Sequence, residues 1–284
     1  MTLSMHRQAT AHPSLLCLAG LLACAAMPAA AANAGIDTIA GQRVESLTVK
    51  HPESTVCVVF ENGSRATLES WNKVVDALAP TTCLFAYNRP GYGDSGKAVT
   101  PRDGDTIVEE LRQVLRHKGV KPPYILVGHS LGGLYTQLFA RRHPDEVRGM
   151  VLVDALYPGV IKKPQDFPLL ARGAKGLFFS SSVNREIDLA HQTGEQVLAL
   201  PASAGLPVVQ LINRPTGKTA VPVDFGMFNQ DEKTRAAVKG MYPTATRIVL
   251  DSDHQMQRQS ADAVVDAIRQ VMAPAAASAS ASAP

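Results

Sequence analysis

The chain has 284 residues, 45% of them hydrophobic and 19% charged, with 28 Lys and Arg against 25 Asp and Glu for a formal charge of +3. That apolar content suffices for a large core and excludes a disordered chain. The even charge balance, with no local Lys/Arg cluster, excludes the electrostatic footprint of a nucleic-acid binder. Four Cys are too few for a fold held mainly by disulfides.

Residues 1–34 read as an export signal. Arg7 precedes an apolar run from Leu15 to Met27, too short to span a bilayer, and Ala32-Asn33-Ala34 has the small-x-small form of a cleavage site. Leu21-Leu22-Ala23-Cys24 also resembles a bacterial lipoprotein signal, in which Cys24 would carry a lipid anchor. Removal of the leader leaves Cys57 and Cys83. Both lie in apolar, strand-like runs and read as two buried thiols, with a bridge as the alternative that an oxidising compartment permits.

Thr55–Phe60 is a continuous β-branched and apolar run, the pattern of a strand covered on both faces. After the turn Glu61-Asn62-Gly63-Ser64, helical spacing of Leu68, Trp71, Val74, Val75 and Leu78 predicts a helix. Cys83–Tyr87 is a strand, residues 89–96 a loop, and Ile107, Leu111, Val114 and Leu115 line a second helix. Tyr124–Val127 predicts a strand, Leu131–Arg142 a helix ending before Pro144, and Val147–Val153 another strand. Residues 155–205 break the rhythm with Pro158, Pro164, Pro168 and Pro201, and read as an inserted cap or lid. Strand and helix then resume at Leu206–Ile212, Asp231–Met241, Arg247–Leu250 and Ala261–Met272, before a flexible Ala/Ser/Pro tail over residues 274–284. The expectation is an α/β fold: a mostly parallel central sheet flanked by helices, with residues 35–154 and 206–273 as the two parts of its core.

Chemistry is concentrated at Gly128-His129-Ser130-Leu131-Gly132, a G-x-S-x-G pattern entered by a strand and left by a helix. A sharp strand-to-helix turn lifts the central hydroxyl off the sheet, and a side chain two positions before or after it would strike neighbouring backbone. The helix N-terminus aims free N–H groups at the place where an oxyanion would form.

Over residues 43–273 the chain resembles the α/β-hydrolase superfamily. Its elbow carries the likeness, together with Asn88-Arg-Pro-Gly-Tyr-Gly-Asp-Ser95, similar to the loop after that family's fourth strand with Asn88 in place of the usual Asp. Phe60-Glu-Asn-Gly-Ser64 occupies the place of the family's oxyanion loop. The resemblance implies Ser130 as nucleophile, with the backbone N–H groups of Leu131 and Ser64 as oxyanion donors. It implies His254, in the loop after the last strand, as general base, with Asp253 where the family commonly has Gly. Among the other histidines, His129 reads as a packing residue, His143 as a helix end, His51 and His117 as surface residues and His191 as a cap residue. Some family branches draw the triad acid from the tip of the strand that here ends Val151-Leu-Val-Asp154, which favours Asp154; Asp224 and Asp231 are the alternatives.

The expected activity is that of a serine hydrolase cleaving a small carboxylic ester through an acyl-enzyme. A peptidase, lactonase or carbon–carbon bond hydrolase would use the same triad, and a catalytically silent binding protein would keep the fold without the chemistry. Dehalogenase and epoxide hydrolase branches use Asp as nucleophile, which Ser130 argues against. No cofactor, metal or nucleic acid is implied, and the partner is a small-molecule acyl substrate. Tyr157, Phe167, Phe178 and Phe179 offer apolar surface in the cap.

Overall fold

The computed structural model describes residues 32–159, 161, 163–166, 180–214 and 232–273. The leader up to residue 31, Cys24, Phe167, Phe178, Phe179, Asp224, Asp231 and the tail lie outside the described residues.

One sheet of eight strands organises the described chain: β1 (Ala32–Ile39), β2 (Gln42–Val49), β3 (Cys57–Glu61), β4 (Cys83–Tyr87), β5 (Tyr124–His129), β6 (Val147–Val153), β7 (Val208–Asn213) and β8 (Thr246–Leu250). Their order is β1-β2-β4-β3-β5-β6-β7-β8, with the β1–β2 and β2–β4 pairings antiparallel and the other five parallel. The helices are α1 (Asn72–Leu78), α2 (Gly104–His117), α3 (Leu131–Arg142), α4 (Ser181–Leu198), α5 (Glu232–Met241) and α6 (Ala261–Met272), with a helical turn at Met256–Gln259. This is an α/β-hydrolase fold.

Strand period sorts the core into two layers. Val59, Phe85, Leu126 and Leu152 face α2 and α3, while Val58, Leu84, Ile125 and Val151 face α1 and α6. Each such side chain, withdrawn fully from water, contributes about 1.5–3 kcal/mol. Asp103 starts α2 by accepting the Thr106 N–H (3.2 Å), and Ser180 starts α4 by accepting that of Val183 (3.3 Å). Residues 131–140 of α3 are all buried, because the sheet covers one side of the helix and α2 and α4 cover the other.

Three features depart from the sequence reading. The β1–β2 hairpin was not anticipated: Gln42, Ser46 and Thr48 are buried beside Val44, so no apolar alternation marks β2. Its first three pairings, Ala32 with Val49, Asn33 with Thr48 and Ala34 with Leu47, involve the last three residues of the expected leader. Within the expected cap, α4 is an 18-residue helix whose buried face carries Glu186, Thr193 and Gly194 among Val183, Ala190 and Val197. Polar residues interrupt the stripe that would have announced it. Finally, Cys57 and Cys83 form a disulfide rather than two buried thiols. They are register partners on adjacent parallel strands, their Cα atoms 4.6 Å apart. Apolar surroundings suit a bridge as well as a thiol, so the local sequence could not separate the two.

The bridge spans 26 residues of sequence. Reduction, or the Cys57→Ala/Cys83→Ala double variant, is therefore expected to lower unfolding free energy by about 3 kcal/mol through a less constrained unfolded chain. Urea titrations with and without reductant measure this, and superimposable curves would rule it out.

Candidate active site

Parallel strands deliver their C-terminal ends to one edge of the sheet, and β3, β5 and β6 bring the site together there. Ser130 follows β5 and starts α3 with φ 52° and ψ −121°, a left-handed φ for a residue with a Cβ. Three backbone hydrogen bonds over-determine this strained turn. The Ser130 N–H donates to Val153 O (3.1 Å), and the Ser130 carbonyl accepts from Gly133 and Leu156 (3.0 Å each). Ser130 is 9% exposed.

Glycine is required around it because backbone lies on backbone. A Cβ at Gly132 would stand 2.3 Å from Glu61 O and 2.5 Å from Asn62 O. At Gly128 it would meet Gly133 Cα at 2.6 Å, and at Gly63 it would reach His129 Nδ1 at 2.5 Å and Ser130 Cβ at 3.1 Å. The loop at residues 61–64 is thus pressed against the elbow. As the first residue of α3, Leu131 has one of the N–H groups that the helix leaves unpaired. Ser64, half-buried, follows Gly63 on the facing loop, and its buried Oγ has no hydrogen-bond partner among the described residues.

Asp154 sits immediately beyond β6 at φ 41°, its N–H bonded to Leu211 O (2.9 Å). This conformation, which Asp tolerates better than most residues, goes with a carboxylate whose Oδ2 lies 2.8 Å from His254 Nδ1. Oδ1 accepts a longer bond from the Asn213 N–H (3.4 Å). The Asp154 side chain is 4% exposed and that of His254 38%, so the pair has a buried acid and a ring that reaches solvent. Nδ1 is the ring nitrogen that Asp154 engages, and Nε2 is the other.

His129 does more than pack. Its Nε2 lies 2.7 Å from the His254 carbonyl oxygen, and because a carbonyl can only accept, Nε2 carries the proton. The two rings are 4.6 Å apart. Burial, and then the neighbouring His254, hold the His129 imidazole well below its ordinary value of 6.5, against the opposing pull of that hydrogen bond. The other histidines are elsewhere. His143 Nε2 meets Glu109 Oε1 at 2.8 Å, His191 meets Glu195 at 3.1 Å within α4, and His117 is exposed at the end of α2. His51 is half-buried rather than on the open surface. With Lys50, Lys121 and the Cys57–Cys83 bridge it lines a groove of about 510 Å³. That groove lies at the opposite edge, since Cys57 pairs with Tyr124, six residues or about 20 Å of strand before Ser130.

Beneath residues 61–64 lies a buried charged cluster that sequence reading missed. Arg89 pairs with Glu61 and Glu186, and Arg102 with Glu186 and Glu110. Tyr87 donates to Glu61 (2.7 Å) and Tyr92 to Glu186 (2.6 Å). Arg89 stood in a recognisable loop, but nothing in the chain tied it to a residue 97 positions away. Asn88 accepts from the Leu68 N–H (2.8 Å) and donates to Glu45 Oε2 (2.6 Å). The usual Asp could not donate there and would face Glu45 as a like charge. Among the described residues no group of three or more His, Cys, Asp or Glu side chains is placed to hold a metal ion.

The description "alpha/beta hydrolase fold" matches residues 56–272. The chain belongs to that family. Among curated relatives, the chain is 38% identical over 101 residues to protein YqjL of Bacillus subtilis, 36% of this chain and 40% of that one. It is 32% identical over 112 residues to a soluble epoxide hydrolase of a Corynebacterium, 39% of this chain and 38% of the relative. These matches span well under two thirds of the relatives' length. The fold alone is shared with the thioesterase domain of a curacin biosynthetic pathway, at 15% identity and TM-score 0.62, over 84% of this chain and 99% of that one.

Three variants test the packing and the electrostatics. Gly132→Ala is expected to destabilise by about 1–3 kcal/mol, because its Cβ meets rigid carbonyl oxygens. Gly240→Ala, in open space on α5, should be neutral or stabilising. Equal urea midpoints for the two would refute the close approach. For His129, the unfolded ring takes up a proton near pH 6.5 and the buried ring does not. Its contribution to stability is therefore present above that pH and lost as pH falls below it. The wild type should lose more stability than His129→Gln between about pH 7 and 5; identical pH slopes would mean that the ring is not held neutral.

Proposed function

We propose that this protein is an exported serine hydrolase that cleaves a small carboxylic ester through an acyl-enzyme at Ser130. The observation that carries the reading is the 2.8 Å contact between His254 Nδ1 and a buried Asp154 carboxylate, at the strand edge that also holds the strained Ser130 turn. A serine hydroxyl is a poor nucleophile until a base takes its proton. Asp154 keeps the His254 proton on Nδ1, so Nε2 is the base, and the carboxylate stabilises the imidazolium once it forms.

In the first step Ser130 Oγ attacks the acyl carbonyl carbon as His254 Nε2 takes the hydroxyl proton. The resulting oxyanion accepts hydrogen bonds from the N–H groups of Leu131 and Ser64. Collapse expels the alkoxide, which leaves as the alcohol with the proton from His254. Water then attacks the acyl-enzyme, gives its proton to the same Nε2, and the acid departs as Ser130 regains its hydrogen. Serine at the elbow makes the intermediate an acyl ester of the protein and suits acyl substrates. Export is supported by the leader-like residues 1–34 and by the Cys57–Cys83 bridge, a feature of oxidising compartments. Retention through lipid on Cys24 is the alternative fate of the same segment.

Labelling of the purified protein with a fluorophosphonate, followed by peptide mapping, tests this reading. Label is expected on Ser130 and absent from Ser130→Ala. On an acyl-ester panel His254→Ala and Asp154→Asn should each reduce kcat by about 10³–10⁴-fold. Unlabelled but folded wild-type protein, or undiminished turnover in Ser130→Ala, would overturn it.

A further inference from the structure

The charged cluster has a direction that the proposed chemistry does not use. Arg89 is 1% exposed and spends its guanidinium in two places at once. One edge faces the cap helix: Nε and Nη2 donate to Glu186 Oε2 at 3.1 and 2.9 Å. The other faces the 61–64 loop, where Nη1 donates to the Asn62 carbonyl at 2.6 Å and to Glu61, and Nη2 reaches the Gly63 carbonyl at 3.5 Å. Gly63 O also accepts from the Ala66 N–H at 3.3 Å. The ring faces of Tyr92 and Tyr135 flank the guanidinium at 4.4 and 5.2 Å.

A planar trans peptide points its C=O and its N–H in opposite directions. Donors that hold the Gly63 carbonyl on one side of the loop therefore turn the N–H of that same peptide unit, which belongs to Ser64, to the other side. The Asn62 carbonyl fixes the preceding peptide in the same way. The Asn62 side chain is itself pinned, its Oδ1 accepting from Trp71 Nε1 (2.7 Å) and its Nδ2 donating to Tyr87 O (2.8 Å). What remains adjustable is the fork of Arg89, and its far side is set from α4. Glu186 is 0% exposed and is held by Arg89, by Arg102 (3.0 Å) and by Tyr92 Oη (2.6 Å).

We propose that Glu186 and Arg89 are positioning residues for the oxyanion donor of Ser64, so that correct seating of the α4 helix of the cap sets the direction of that N–H. The consequence for the reaction rests on the serine-hydrolase reading above; the mechanical link between α4 and residues 61–64 does not. Neither residue touches substrate. Loss of the Glu186 charge leaves the guanidinium held on one side only, by Glu61, and loosens its donation to the two carbonyls, of which Gly63 O keeps the Ala66 N–H. A donor that is misdirected weakens the transition state more than the bound ester, whose carbonyl carries little charge.

The test is Glu186→Gln in the full chain, read in two ways. On a p-nitrophenyl ester kcat is expected to fall about 10–100-fold, short of complete loss of one oxyanion donor, with KM within about twofold of wild type. By hydrogen-exchange mass spectrometry, amides of residues 61–67 should exchange at least about tenfold faster while those of α6 are unchanged. Tyr92→Phe, which removes one donor to Glu186 and keeps the charges, should shift both readouts in the same direction by less, and stands in if Glu186→Gln does not fold. A merely structural role would lower the unfolding midpoint and raise exchange throughout, with kcat held at temperatures well below it. That pattern, or unchanged exchange over residues 61–67, overturns the proposal. If wild-type protein takes no fluorophosphonate label, the serine-hydrolase reading fails, and the exchange data still decide whether α4 positions the loop.

Discussion

Backbone packed directly on backbone, with no Cβ between, is the constraint from which the rest of the site follows. Helix α3 starts against the end of β3 because Gly132 lies where any side chain would strike the carbonyls of Glu61 and Asn62. Gly63 meets the elbow from the other side, against His129 and Ser130. Only with all these positions bare can a serine at φ 52° stand between the end of a strand and the first turn of a helix. Strain of this kind, of order 1–3 kcal/mol, persists when surrounding hydrogen bonds leave no alternative. Here the bonds come from β6, from α3 and from Leu156.

Electrostatics extends the same arrangement outward in two shells of opposite character. Near the elbow the groups are few: Asp154 on one ring nitrogen of His254, and a neutral His129 beneath its carbonyl. Farther in, Arg89, Arg102, Glu61 and Glu186 are buried together. Burial raises the Glu61 carboxyl, while Arg89 beside it acts in the opposite sense. Such clusters add little net stability compared with apolar packing, but loss of one member leaves the others charged and unpaired at about 3–5 kcal/mol. Their value lies in specifying geometry. A guanidinium has a rigid fork, and its several fixed donors can define two carbonyl directions that hydrophobic contacts would leave free.

Much of this was legible along the chain. The strands at Cys83–Tyr87 and Val147–Val153 and the helices at Leu131–Arg142 and Ala261–Met272 begin and end where apolar pattern, Pro144 and polar flanks indicate. Asp154 and His254, 100 residues apart in sequence, are brought to 2.8 Å by the fold. The β1–β2 hairpin and α4 were illegible for one reason: both bury polar side chains, Ser46 and Thr48 in the first and Glu186 and Thr193 in the second. Hydrophobic periodicity cannot report a face whose burial is satisfied by hydrogen bonds and charge pairs.

Local pattern determined the strand–helix alternation, the elbow with its two glycines and the nucleophile candidate, because those depend on neighbours within a few positions. Only the tertiary structure decided that Cys57 and Cys83 are joined, since register between β3 and β4 is a property of two strands and not of either. It also decided that His129 holds the loop of His254 and that Arg89 joins the loop at residues 61–64 to α4. Those contacts cross 27 to 125 residues of chain. No local preference encodes them, because each partner is chosen by what the rest of the fold brings within 3 Å.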